Sequence, residues 1–194
     1  MRHHQLGLLL AFGLALAGCG RQPEAPATPF KPTASIQELM KALVDPAADG
    51  IWESFSTTVT QAGVEEKRPQ TDEEWAVVRH HAITLIEASN LLLIEGRKVA
   101  HPGQKLDDEG TPGLLTAPEI EQGIAKDRAG FVAAAHVLHD TGVKVLAAID
   151  TKKPEAVVEA GGYIEAACEQ CHAKFWYPNA QGPQYGRFNK AAKP

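Results

Sequence analysis

The sequence is short of positive charge, of strand-like segments and of sulfur, and each shortage narrows what the chain can be. Nineteen Lys and Arg stand against 24 Asp and Glu, a formal net charge of −5. No basic helix face and no interleaving of aromatic with basic residues offsets that balance, which argues against nucleic acid as a partner. No segment reads convincingly as a β-strand and no stretch repeats another, so the fold class expected is all-α. Only three cysteines and two methionines are present. One near-continuous apolar run stands out, Leu6 to Leu16, and it is too short to span a bilayer as a mature helix.

That run follows Arg2 and ends in Leu16-Ala17-Gly18-Cys19, the order of regions found in an export signal. The tetrapeptide resembles the lipobox of bacterial lipoproteins. The resemblance implies cleavage before Cys19 and acylation of its sulfur and new amino group. An ordinary secretory signal with a chance cysteine is the alternative. Gly20, and not Asp, after Cys19 leans toward the outer membrane in that family's sorting pattern. Residues 1–18 are therefore expected to be a signal peptide, and the mature chain would run from Cys19 to Pro194, 176 residues with a net charge of −6 once Arg2 is lost. That is one domain's worth. Residues 19–34 carry Pro23, Pro26, Pro29 and Pro32 at a spacing of three, which favours extended polyproline II and a tether role. Residues 35–178 are expected to form the domain, and residues 179–194 a flexible, solvated tail with Arg187, Lys190, Lys193 and no acidic side chain.

From Ser35 onward the apolar periodicity is helical. Ser35-x-x-Glu38, Thr71-x-x-Glu74 and Thr116-x-x-Glu119 each read as a capping box opening a helix. Ile36, Leu39, Met40, Leu43 and Val44 mark one face of the first helix, which Pro46 must kink or interrupt. Trp75, Val78, Ala82, Leu85, Ser89 and Leu92 mark the second, stopping near Gly96. A third spans Ile120 to Ile149, with Asp140-Thr141-Gly142 as a potential break, and Pro154 opens a fourth that runs into Ala167. The connection 97–115 is rich in Gly, Pro and charge and longer than a usual loop, marking it as functional or mobile. Four amphipathic helices predict an antiparallel four-helix bundle, up-down-up-down.

Two cysteines fall in Cys168-Glu169-Gln170-Cys171-His172, the C-x-x-C-H pattern of c-type haem attachment. On a helix, positions i, i+3 and i+4 share one face. Two thiols can then add to the haem vinyl groups while His172 turns its imidazole onto the iron from the same side. A thioredoxin-like pair would follow a strand, a zinc site would need a further ligand set at metal spacing, and a structural disulfide would leave His172 unexplained. The expected cofactor is one covalent haem c.

"ACEQCHAKF" near the C-terminus, at the end of the last of four helices, together with "ELMKALVDPAAD" in the first, resembles the class II cytochromes c, the cytochrome c′ type and its low-spin relatives. The resemblance covers about residues 35–177. It departs where the family commonly has Arg or Lys after the phenylalanine; here Trp176, Tyr177 and Pro178 follow Phe175, leaving Arg97 or Lys98 as substitute propionate contacts. In an up-down bundle, Met40 in the first helix and His172 at the end of the fourth should meet at one end. The low-spin branch of the family uses a methionine at the matching place, so the resemblance implies Met40 as distal iron ligand; ordinary core packing is the alternative. His80, His81, His136 and His139 lie too far along their helices, and only His101 in the long loop could swing in. Trp52, Trp75 and Phe131 read as core, and Phe175 as either a haem-edge cover or a packing residue.

These features predict a lipid-anchored electron carrier on the periplasmic side of a bacterial membrane, not an enzyme, with redox proteins as partners and pairing into a homodimer as a family habit. A five-coordinate haem protein that binds nitric oxide or carbon monoxide is one alternative. A haem-free helical lipoprotein with a structural role is another.

Overall fold

The computed structural model describes residues 30–107 and 109–180. The signal peptide, Cys19, most of the tether and residues 181–194 of the tail lie outside the described residues. Among the described residues the fold is not the expected clean four-helix bundle: it has five helical rods and a two-stranded antiparallel sheet. The first rod comprises α1 (Ile36–Leu39), a π-helical segment (Met40–Val44) and α2 (Asp45–Trp52). A hairpin follows, β1 (Ser56–Thr60) and β2 (Gly63–Lys67), then α3 (Asp72–Leu91), α4 (Ala117–Lys126), α5 (Arg128–Asp150) and α6 (Pro154–Phe175).

Two local events account for the correction. The expected third helix breaks at Asp127, whose backbone leaves the helical region (φ −129, ψ 60), and not at Asp140-Thr141-Gly142. The Asp127 carboxylate accepts from the Gly130 backbone N–H at 2.9 Å, so it caps a new helix, α5. Thr141 Oγ1 instead donates to Val137 O at 2.8 Å and leaves the helix unbroken. The hairpin pairs Val59 with Val64 across a two-residue turn, Gln61-Ala62. Both valines are well over half exposed, at 77% and 63%, so no buried face writes an apolar alternation into the sequence.

The expected starts are present. Ser35 Oγ accepts from Glu38 N at 3.1 Å and Glu38 returns to Ser35 N at 2.8 Å. Thr71 and Glu74 form the same reciprocal pair. Glu119 takes both the N–H and the hydroxyl of Thr116 at 2.7 Å. Pro154 sits at the first position of α6, where its missing N–H is not needed. Pro46 is accommodated by the π segment, in which Asp45 N–H reaches back five residues to Met40 O.

Among the described residues the interior divides into two large clusters and a small third one of Ala173, Tyr177 and Ala180, with Leu114 and Trp176 against it. The first lies among α2, α3, α5 and α6, around Ile51, Leu85, Leu138, Val145, Val157 and Ile164. The second is built by α1, the 92–116 segment, α4, Phe131 and Phe175. The long segment is therefore structural: Val99, Ala100 and Leu106 are buried, and Lys98 O and Val99 O accept from the first N–H groups of α1. Helix α5 is apolar and long enough to cross a membrane by composition, but its apolar face packs against α3 and α6.

At Gly142, helix α5 packs tightly against Ile86 of α3. A Cβ there would sit 2.8 Å from Ile86 Cγ1, whereas one at exposed Gly162 would meet nothing within 4 Å. Replacing a mid-helix glycine by alanine ordinarily stabilises by about 0.5–1 kcal/mol. Gly162→Ala is expected to show that gain in a denaturant titration. Gly142→Ala is expected to lose about 1–2 kcal/mol, because overpacking outweighs the backbone term. Equal gains at both positions would show that α3 and α5 can separate freely there.

Candidate functional site

The last turns of α6 carry Cys168, Cys171 and His172, ahead of the cap at Trp176. Both cysteines are free thiols. Cys168 packs against the first core cluster and Cys171 against the second, so the pair straddles the seam between them. Burial pushes both thiols up to about 12; at Cys168 the negative charge of Asp45 adds to that effect. Neutral, desolvated sulfur of this kind is inert until it is exposed.

Met40 and His172 line the same cleft, of about 250 Å³, with Leu106, Leu114, Trp176 and Tyr177 as apolar walls. Met40 opens the π segment and touches both core clusters, as Leu43 does. The cleft's polar side comes from Gln37, Lys41, Asp45 and Asp107. Lys41 Nζ lies 2.8 Å from Asp107 Oδ2, and Gln37 Nε2 donates to Asp107 Oδ1 at 3.2 Å. Gln37 Oε1 is left buried without a partner among the described residues. Desolvation raises the Asp45 carboxyl, with His172 opposing the shift.

Several contacts fix the end of α6. Trp176 and Tyr177 both donate their backbone N–H to His172 O, at 2.8 and 3.0 Å, and Leu115 N–H donates to Trp176 O at 2.9 Å. Lys174 Nζ lies 2.5 Å from Asp127, which ties α6 to the α4–α5 junction. The Lys174 hydrogen bond is also the main reason that the Asp127 carboxyl is lowered. The His172 ring stands 6.0 Å from that of Trp176 and 6.1 Å from that of Tyr177.

The remaining sequence candidates lie elsewhere. His101 pairs with Glu38 at 2.8 Å, within the α1 capping box, and does not line the cleft. His80 and His81 stack edge-on, His81 against Gly50, and His139 pairs with Asp140. Arg97 donates to Leu91 O and Ala34 O, while Lys98 pairs with Glu121; neither reaches the cleft. Phe175 stacks edge-to-face on Phe131 in the second cluster, and Trp75 is buried beside Phe55. Trp52, expected in the core, is instead exposed at 39% and donates Nε1–H to Gly161 O at 3.0 Å. Sequence reasoning missed Lys41, Asp107, Leu106 and Leu114 as cleft residues. Lys41 carried a signal, one position after Met40 on the same rod; the loop residues carried none, because an irregular segment has no period to read.

The donor set is that of a covalently held haem: two free thiols three apart, an imidazole next to the second, and a thioether on the same cleft as the imidazole, with the two cysteines beside that cleft and not among its lining residues. Among the described residues no group of three or more His, Cys, Asp or Glu converges as an all-protein metal site. No protein-family model, curated protein or solved structure matches the chain.

The thiol environment gives a direct test on polypeptide made without attached haem. A thiol at about 12 instead of its usual 9.0 has, at pH 8, on the order of a thousandth of the thiolate of an exposed one. Alkylation of Cys168 and Cys171 in the folded chain is therefore expected to be far slower than in urea. Its rate should still climb with pH beyond 10, where the urea rate has levelled. Equal rates at pH 8 would show that the end of α6 is open.

Proposed function

We propose that the protein is a monohaem c-type cytochrome, held through acylated Cys19 on the periplasmic side of a bacterial membrane, that passes single electrons between redox proteins. The observation that carries the reading is the run Cys168-Glu169-Gln170-Cys171-His172 on the end of one helix, beside a cleft that His172 and Met40 line together. In this reading Cys168 and Cys171 would hold the haem as thioethers, and His172 and Met40 would ligate its iron. Bound there, the haem supplies a one-electron couple. The chain's own part is to hold both axial donors in place, keep the sulfurs dry and leave an edge of the cleft open to a partner. A thioether ligand favours ferrous iron and raises the potential, which suits an electron relay. The resemblance of the haem-binding run to the class II cytochromes c supports the same assignment.

A second reading, five-coordinate haem that binds nitric oxide or carbon monoxide, draws on the space between Met40 and His172. Absorption spectra of the purified holoprotein separate the two. The wild type is expected to be low-spin in both oxidation states and to resist carbon monoxide, and Met40→Ala to turn high-spin and bind it. A wild type already high-spin and open to carbon monoxide would return Met40 to the core. On a denaturing gel after co-expression with a cytochrome maturation system, the wild-type band is expected to stain for haem. Cys168→Ala and Cys171→Ala are expected to weaken that stain, and the double variant to abolish it. An unstained wild-type band would favour a haem-free structural lipoprotein.

A further inference from the structure

We infer that Glu169 is a positioning residue for His172 and sets the electron density that this imidazole presents to the iron, an inference that rests on the haem reading above. Glu169 lies one helical turn before His172, with Oε1 3.6 Å from His172 Nδ1. Its other oxygen, Oε2, accepts from the Tyr177 hydroxyl. The carboxylate is thus held from both sides of the helix end, by His172 four residues before the Trp176 cap and by Tyr177 just after it. The ion-pair contact needs a shift of about 0.5 Å to become a hydrogen bond of ordinary length. With Glu169 on the Nδ1 side of the ring, that bond would engage Nδ1 and leave Nε2 as the nitrogen free to ligate.

The groups around His172 leave this role to Glu169. Asp45, on α2, acts on His172 through charge alone, while Trp176 and Tyr177 present ring faces or edges at about 6 Å. Lys174 is committed to Asp127. A carboxylate against Nδ1 makes the imidazole a stronger donor and stabilises ferric over ferrous iron. Tyr177 moderates that effect, because its hydroxyl competes for the same carboxylate charge. The two side chains therefore pull the potential in opposite directions, a pattern that loose packing at the helix end does not produce.

The test is redox titration at pH 7 of haem-loaded wild type, Glu169→Gln and Tyr177→Phe, with haem staining and thermal unfolding alongside. Glu169→Gln is expected to keep its covalent haem and raise the potential. The shift should be on the order of ten-fold in the ferrous-to-ferric ratio, ~59 mV for one electron. Tyr177→Phe is expected to lower the potential by less. An unchanged potential in haem-loaded Glu169→Gln overturns the assignment. So do shifts of one sign in both variants that track a fall in Tm. A wild type that takes up no covalent haem overturns this inference together with the haem reading, whereas haem-loaded protein with an unresponsive potential overturns the role of Glu169 alone.

Discussion

Pro46 has no N–H to donate, and in a continuous α-helix its ring would press on the carbonyl of Ala42. The chain meets that constraint with a widened turn, Met40 to Val44, before α-helical geometry resumes at Asp45. The consequence reaches well beyond one turn. Upstream of it, Ile36 and Leu39 are fixed in the second core cluster; downstream, Ala47, Ala48 and Ile51 are fixed in the first. The π segment is the joint between two interiors, and Met40 stands at its head. A wide turn there lets one rod serve both clusters while aiming a thioether into the gap between them.

The far side of that gap depends on the end of α6 in the same way. Cys168 belongs to one cluster and Cys171 to the other, so the cysteine run crosses the seam that Met40 and Leu43 cross from the opposite rod. Three ties prevent the helix end from fraying: Lys174 to Asp127, Leu115 N–H to Trp176 O, and the two backbone bonds onto His172 O. None is strong alone. An exposed ion pair contributes little by itself, but the first two ties join α6 to the α4–α5 junction and to the 92–116 segment, the third closes its own last turn, and together they limit where the His172 ring can go.

Much of this was legible in the sequence, and the pattern of what was not is physical. Capping boxes at Ser35, Thr71 and Thr116 and the proline at 154 are local codes, and each opens a helix in the structure. Met40 and His172 line one cleft, although the plain bundle from which that meeting was expected is not the fold. The break at Asp127 was hidden because its capping of Gly130 reads no differently from an acidic residue on a helix surface. Asp140-Thr141-Gly142 misled for the converse reason: the glycine serves a close approach to Ile86, not a turn. The hairpin escaped because an element exposed on both faces has no apolar period to display.

The departures from a plain bundle are unevenly placed, and that distribution carries meaning. The hairpin lies against Pro154–Glu159, at the start of α6, about 20–27 Å along the helix from His172, and contributes nothing to the cleft. The other departures gather at the cleft. The 92–116 segment supplies Leu106, Asp107 and Leu114 as its wall, Leu115 holds Trp176, and the α4–α5 break supplies the carboxylate that holds Lys174. Real chains break local rules most often where function needs geometry that regular elements do not give. Here a long loop, a split helix and a π turn converge on one imidazole and one thioether, and the bundle-like remainder keeps those parts in register.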